Sequence, residues 1–184
     1  FPLLGILDSK QTSMQYMDPI IFLFIGGFII AYGIEKWMLH ERIALNILMR
    51  VGSRPSNILL GVMITTFLIS MWISNTATVM MLYASVMAII SRIENNSNGN
   101  PQLHGITVSL LLGLAYAASI GGMATLVGTP TNMIFYRAYN EQYPHEGGVN
   151  FLSWFLTALP ISLILLVFTF LLLKYLYIKS NASI

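Results

Sequence analysis

Four long apolar segments, separated by short polar stretches, dominate the pattern of the chain. They cover residues 19–34, 55–91, 104–139 and 151–173. An α-helix needs about 20 apolar residues to cross a hydrocarbon core that is about 30 Å thick. The first and last segments are continuous and come close to that length, whereas the two middle segments contain polar residues or glycines near their centres. The pattern predicts an all-α integral membrane protein, with its last span over 151–173.

The second segment is interrupted by Ser74-Asn75-Thr76, and Ser70 stands one helical turn before Ser74. As one straight helix, this segment would extend about 55 Å at 1.5 Å per residue, well beyond the thickness of the core. An unsatisfied polar group in hydrocarbon costs several kcal/mol, so these side chains must be buried in protein or line a cavity. We expect a re-entrant helical hairpin over 55–92 that turns at 74–76. A pair of short spans is the alternative.

The third segment contains two expected breaks, at 119–122 and at 128–132, where glycines and a proline interrupt the apolar sequence. Thr129 suits the N-cap of a helix, and Pro130 suits its first position, where the missing N–H costs nothing. A span interrupted in this way is typical of a discontinuous transmembrane helix. We therefore expect a broken helix over 104–139.

Residues 36–50 have a different pattern, because Trp37, Ile43 and Ile47 recur at helical spacing opposite basic residues. Such a helix has one apolar face and one charged face, which is typical of a helix lying in the membrane interface. We expect an interfacial amphipathic helix between the first span and the hairpin.

The composition agrees with a membrane protein, since 56% of the residues are hydrophobic and only 9% are charged, against about 25% charged in soluble domains. The absence of cysteine excludes disulfides and thiolate metal sites. A formal net charge of +2 gives no indication of a nucleic-acid partner. The first residue is Phe rather than Met, and we expect the chain to be a fragment of a longer protein.

The basic residues predict the orientation in the bilayer. Cytoplasmic segments of membrane proteins carry an excess of Lys and Arg. If the hairpin opens to the cytoplasm, seven basic residues lie inside and two lie outside. We therefore expect a multi-pass protein of the inner or plasma membrane, with the hairpin opening inward. The inside set is Lys36, Arg42, Arg50, Arg54, Arg92, Lys174 and Lys179, and the outside set is Lys10 and Arg137.

The two interruptions suggest ion binding. Amide and hydroxyl oxygens carry no fixed charge, which suits a weakly held alkali cation and hydrogen bonds to an anion. Half-helices that start in the membrane direct a positive dipole end at an anion, and unwound backbone offers carbonyl oxygens to Na⁺. Each motif alone also has an ordinary structural explanation, such as a serine bonded to its own helix or a proline kink. No acid, base or histidine lies in the middle of a span, which argues against a proton relay and against an enzyme.

These motifs resemble those of the divalent anion:sodium symporter family, which transports dicarboxylates, citrate and sulfate. The similarity lies in Ser74-Asn75-Thr76 after Ser70-Met71-Trp72, in the sequence 115–122 leading to 128–132, and in Phe24–Phe28 with Glu35-Lys36-Trp37. It covers nearly the whole chain. The family pattern has a proline where this chain has Thr131.

The resemblance implies a transporter with two inverted repeats, of which this chain matches the first. Residues 1–54 would form a scaffold span with the interfacial helix, and 55–184 would form half of a moving transport domain in an elevator-like homodimer. One Na⁺ would be held by Ser70, Ser74, Asn75 and the backbone of Gly128. The carboxylate of the substrate would contact Ser74, Asn75 and Thr76. The second sodium site and the rest of the anion site would belong to the second repeat.

Three functions remain open at this point. The chain could be part of a symporter that couples Na⁺ to the uptake of C4-dicarboxylates, citrate or sulfate. It could instead belong to a sodium-independent dicarboxylate exchanger of the same family, or be an inert fragment that lacks its second repeat. No charged side chain is expected to line the site, so the residues do not select one anion.

Overall fold

The computed structural model describes residues 2, 5–6, 8–17, 19–39, 42–43, 46, 54–96, 103–143 and 148–178. Helices are the main regular elements there, and no strand occurs within these ranges, which confirms the all-α fold class. Most of the amphipathic helix expected over 36–50 lies outside the described residues. The helices are α1 (Ser9–Tyr16), α2 (Pro19–Lys36), α3 (Pro55–Ser70), α4 (Asn75–Asn96), α5 (Leu103–Met123), α6 (Pro130–Gln142) and α7 (Phe151–Tyr177).

Helices α3 and α4 form a helical hairpin joined by residues 71–74, which we call the hairpin tip. Pro55 occupies the first turn of α3, where its missing N–H is tolerated. The turn comes earlier than expected, because Asn75 and Thr76 already belong to α4. Ser74 is the reason, since its Oγ accepts a hydrogen bond from the Ala77 N–H at 3.3 Å and so caps α4. Whether the hairpin is re-entrant stays a prediction.

Helices α5 and α6 are separated by residues 124–129, which we call the helix break. Thr129 is the N-cap residue of α6 and Pro130 lies in its first turn, as the sequence predicts. The break expected at 119–122 is wrong, because α5 continues through these residues to Met123. Ser119 donates to the Ala115 carbonyl oxygen four residues earlier, as a serine within a continuous helix does. The glycines there serve close packing rather than a turn.

The packing shows that α3 and α5 run parallel. A Cβ added at Gly113 would lie 2.6 Å from Leu59 Cδ1, and one added at Gly121 would overlap the backbone of Phe67. Contacts thus advance in the same direction along both helices. The buried side chains of Leu59 and Leu110 are among the largest in the core between them. These contacts make α3 and α5 the centre of the described bundle.

Helix α7 runs antiparallel to α5. Near its beginning, Trp154 Nε1 donates to the Met123 carbonyl oxygen at 3.1 Å, and near its end the Tyr177 carbonyl oxygen lies against Gly105. Helices α3 and α5 therefore begin at the end of the bundle where α4 and α7 finish. Arg54, Arg92 and Lys174 are on helices or caps at that end, and Arg137 is in α6, beyond the break. Arg54, Arg92 and Lys174 therefore lie at one end of the bundle, while the assignment of that end to the cytoplasm stays a prediction.

Among the described residues, three helices are long and apolar enough to cross a membrane: Asn75–Asn95 within α4, α5 and α7. Only 17% of the most apolar 18-residue stretch of α7 is buried inside the structure. Its exposed residues include Leu156, Ile164 and Phe168, a surface suited to lipid or to other parts of a membrane protein. The protein is therefore an integral membrane protein with an α-helical core.

Candidate functional site

The hairpin tip lies against the end of α5, next to the helix break. Ser70, the last residue of α3, is fully buried, and its Oγ lies 2.6 Å from the Ala118 carbonyl oxygen in α5. The Thr125 hydroxyl, in the break, donates a hydrogen bond to the Met71 carbonyl oxygen, in the tip. The two interrupted segments therefore meet at one place inside the structure.

At this place two acceptor oxygens lie within hydrogen-bond distance of the Ser70 hydroxyl, which carries a single hydrogen. Besides its contact with Ala118, Ser70 Oγ lies 2.8 Å from Asn75 Oδ1. A hydroxyl has only one hydrogen to donate, so it can serve one of these two oxygens. The other contact is satisfied either by turning the Asn75 amide so that its nitrogen donates, or by a cation that binds the surplus oxygens. We call Ser70 Oγ, Asn75 Oδ1 and the Ala118 carbonyl oxygen the oxygen cluster.

Two glycines allow the chain to close around the oxygen cluster. The space of a Cβ at Gly122 is occupied by the side-chain amide of Asn75. A Cβ at Gly128 would lie 2.6 Å from the Gly122 carbonyl oxygen and 3.0 Å from the Ser70 carbonyl oxygen. Neither position has room for a side chain, which is the usual reason for glycine where backbones approach closely. Gly128 therefore brings the backbone of the break directly against the end of α3.

Asn132 holds the helix break in place. Its side chain is mostly buried, and Nδ2 donates to the carbonyl oxygens of Gly122 at 2.9 Å and Thr125 at 2.8 Å. Within the break, the Gly128 N–H donates to Thr125 Oγ1 at 3.1 Å. The amide hydrogens of Asn132 thus join the first turn of α6 to the end of α5, and the break has a defined conformation rather than an open one.

The structure brings together three of the four residues expected to hold Na⁺. Ser70, Asn75 and Gly128 surround the oxygen cluster, whereas the Ser74 side chain is exposed and caps α4. Thr76 is also exposed, and Asn75 is half-buried. The expected anion contacts Ser74, Asn75 and Thr76 therefore lie at the beginning of α4, where the first N–H groups have no partner within the helix and the dipole favours an anion.

The chemistry of this place is that of neutral oxygens. Across the ranges that the structure describes, no group of three or more His, Asp or Glu side chains comes together. A site of hydroxyl, amide and carbonyl oxygens suits a monovalent hard cation better than a transition metal, which favours imidazole or thiolate ligands.

The sequence did not predict the roles of Thr125 and of the Ala118 carbonyl oxygen, nor the hydrogen bonds that Asn132 donates across the helix break. Their partners are 54, 48 and up to 10 residues away along the chain. A contact across about 50 residues leaves no spacing pattern in a single sequence. The available signal was weaker: a threonine and an asparagine stand within or next to apolar stretches, where a polar side chain requires a partner.

Two interrupted helical segments that meet at a glycine-lined polar cluster are the arrangement of membrane proteins with discontinuous helices. Residues 1–183 match the family described as citrate transporter (CitMHS), and the chain belongs to that family. This confirms the resemblance to dicarboxylate and citrate transporters found in the motifs.

The curated relatives include the sodium-dependent dicarboxylate transporter SdcS of Staphylococcus aureus, from strains NCTC 8325 / PS 47, COL and MRSA252. Each is 41% identical over 177 residues, which cover 95% of this chain and 34% of the relative. The chain thus spans about a third of the length of the curated relatives it matches.

Proposed function

We propose that this chain forms part of a transporter that couples Na⁺ to the uptake of divalent anions such as C4-dicarboxylates or citrate. The observation that carries the proposal is the oxygen cluster, in which Ser70 Oγ lies 2.8 Å from Asn75 Oδ1 and 2.6 Å from the Ala118 carbonyl oxygen. A Na⁺ ion at this place would be bound by these neutral oxygens. The names of the SdcS relatives, which are sodium-dependent dicarboxylate transporters, support the same cation and the same anion class.

In this proposal, Na⁺ contacts Ser70 Oγ, Asn75 Oδ1 and the backbone near Gly128. The Ser70 carbonyl oxygen adjoins Gly128 and is one of the last carbonyls of α3, which have no partner within the helix. Ser74 does not contact Na⁺ in this proposal. Its hydroxyl oxygen accepts a hydrogen bond from the Ala77 N–H and so fixes the start of α4 beside the cluster. Transported Na⁺ has to leave again, and a set of neutral oxygens binds weakly enough for release.

Asn75 connects the cation to the anion. Its side-chain oxygen belongs to the cluster, while its backbone N–H opens α4 together with that of Thr76. We propose that a carboxylate of the substrate binds at this exposed helix start, next to Ser74, Asn75 and Thr76. A bound Na⁺ on the other side of Asn75 would add positive charge close to the anion, so that each ion favours the binding of the other.

The division into a scaffold and a moving domain is part of the proposal. Among the described residues, the buried hydrophobic core extends from Leu59 to Ile178, and all of it belongs to the unit 55–184. Residues 1–54 would form the scaffold, and 55–184 would move with the bound ions in an elevator-type mechanism. A second repeat would supply another Na⁺ site and the rest of the anion site, and a homodimer in the lipid bilayer would hold the scaffolds.

A sodium-independent exchanger is the second candidate, and the same cluster supports it. If the Asn75 amide is turned so that Nδ2 donates to Ser70 Oγ, every hydrogen bond is made without a cation. An inert fragment that binds nothing without its second repeat is the third. Uptake of labelled succinate or citrate by the full-length protein, in liposomes preloaded with the unlabelled anion, separates the first two. An inward Na⁺ gradient should drive uptake that an equal K⁺ gradient does not, whereas equal uptake in both salts would favour the exchanger. A second Ser-Asn-Thr hairpin downstream of Ile184 would argue against the inert fragment.

A further inference from the structure

Thr125 joins the two halves of the candidate site through a single hydroxyl group. The side chain is fully buried in the helix break. Its Oγ1 donates to the Met71 carbonyl oxygen in the hairpin tip, 54 residues away, and accepts a hydrogen bond from the Gly128 N–H at 3.1 Å. The hydroxyl hydrogen of Thr125 is therefore used in the bond to the hairpin tip, and one lone pair of its oxygen accepts the bond within the helix break.

The two partners of this hydroxyl stand directly beside the oxygen cluster. Met71 follows Ser70 in the chain, so a fixed Met71 carbonyl limits how Ser70 can turn. Gly128 adjoins the Ser70 carbonyl oxygen, so a fixed Gly128 N–H sets how the backbone of the break faces the same point. Thr125 thus constrains the cluster from both sides, while its only hydrogen is already in use.

We propose that Thr125 is a positioning residue that sets the affinity for Na⁺ by holding the hairpin tip and the helix break together. This inference rests on the proposed function, because it assigns a role at the same site. Without the hydroxyl, the Met71 carbonyl and the Gly128 N–H lose their shared partner in a buried place. The backbone around Ser70 and Gly128 then adopts several arrangements, and the ion must select the one in which the oxygens converge.

Thr66 offers a matched control in the same bundle. It is also fully buried, but its hydroxyl donates to the Val62 carbonyl oxygen of its own helix at 2.7 Å. That carbonyl lies in the interior of α3, where helical carbonyls accept from the N–H four residues later. Removing the Thr66 hydroxyl therefore takes one buried hydrogen bond from the protein without releasing the tip or the break.

The test uses the full-length protein in detergent and compares Thr125→Val, Thr125→Ser and Thr66→Val with the unmodified protein. The melting temperature is measured while NaCl replaces choline chloride at constant ionic strength, and its rise with Na⁺ concentration is fitted to give the apparent dissociation constant, which is the midpoint of Na⁺ binding. This midpoint should rise by about tenfold in Thr125→Val. It should stay within about twofold in Thr125→Ser, which keeps the hydroxyl, and in Thr66→Val.

An unchanged Na⁺ midpoint in Thr125→Val, with a lower melting temperature in both salts, would show a purely structural threonine and overturn the inference. If the valine variant does not fold, Thr125→Ala is measured in its place, and the same unchanged midpoint in it overturns the inference. If the unmodified protein gains no stability from Na⁺ over choline, the proposed function itself fails and this inference with it. The two failures are thus distinguishable.

Discussion

The Ser70 hydroxyl lies 2.6 Å from the Ala118 carbonyl oxygen, although 48 residues separate the two positions in the chain. This contact links the last residue of α3 to the last two turns of α5. Together with the bond between Thr125 and Met71, it makes the hairpin tip and the helix break parts of one unit. The predictions below test this unit, its packing and its orientation.

Gly128→Ala should weaken Na⁺ binding in the full-length protein while leaving it folded. The added Cβ would lie 2.6 Å from the Gly122 carbonyl oxygen and 3.0 Å from that of Ser70, so the backbone beside the oxygen cluster has to shift. The Na⁺ concentration for half-maximal uptake should rise by about tenfold or more, the equivalent of about 1.4 kcal/mol.

Gly33→Ala is the control for this substitution. In the described part of the chain, a Cβ built on Gly33, in α2, has no atom within 4 Å apart from its chain neighbours and the backbone of its own helix. This variant should keep the Na⁺ dependence of the unmodified protein. An equal Na⁺ dependence in Gly128→Ala would assign Gly128 to packing alone.

Gly121→Ala should destabilise the protein more than Gly113→Ala, although both glycines face α3 from α5. At Gly121 the new Cβ would overlap the backbone of Phe67, which cannot move without displacing α3. At Gly113 it would meet the side chains of Leu59 and Met63, which can adopt other rotamers. Melting temperatures of the purified variants should fall in that order, by the equivalent of about 1–3 kcal/mol at Gly121. Equal melting temperatures would contradict the close parallel packing of α3 and α5.

Thr65→Val should leave the stability unchanged or raise it. Thr65 is buried in α3, and its hydroxyl has no hydrogen-bond partner among the described residues. Replacing an unpaired buried hydroxyl by a methyl group of similar size removes a cost of about 1–3 kcal/mol without breaking a bond. The melting temperature of the full-length variant measures the change. A clear fall would mean that this hydroxyl meets a polar group in the complete protein.

Cysteines introduced at Asn95 and at Gln142 should react with a membrane-impermeant reagent from opposite faces of the membrane. Asn95 is exposed near the end of α4, and Gln142 is the exposed last residue of α6. The chain contains no cysteine of its own, so each variant carries one thiol within these residues. The excess of basic residues predicts that Asn95 lies on the cytoplasmic face. Labelling of both positions from one side would contradict the proposed topology.

The sequence predicts much of the helical architecture because hydrophobic pattern and helix-capping signals are local. The last long helix, the helical hairpin and the start of α6 at Thr129 and Pro130 all follow from residues within a few positions of one another. The break expected at 119–122 is wrong for the same reason. From neighbouring residues alone, a pair of glycines predicts a turn. The contact of Gly121 with the Phe67 backbone, which lies far away in the sequence, shows that the glycines allow close helix packing instead.

The site is predicted less completely than the fold. Ser70, Asn75 and Gly128 come together as the motifs suggest, while the Ser74 side chain lies outside the cluster. Ala118 enters through a backbone oxygen, an atom that every residue type possesses. No residue identity could therefore have revealed this contact.

Uptake by Asn75→Ala tests the central claim most directly. Full-length variants are reconstituted in liposomes with an inward Na⁺ gradient, and uptake of labelled succinate or citrate is measured. The control is Asn150→Ala, because Asn150 caps α7 through a bond from the Ser153 N–H. Loss of this cap should cost about 0.5–2 kcal/mol of stability and leave transport intact.

Asn75→Ala should abolish coupled uptake, and Asn75→Asp should not restore it, because a fixed negative charge repels the anion. Near-normal uptake by Asn75→Ala would contradict the assignment of Asn75 to the Na⁺ and anion sites.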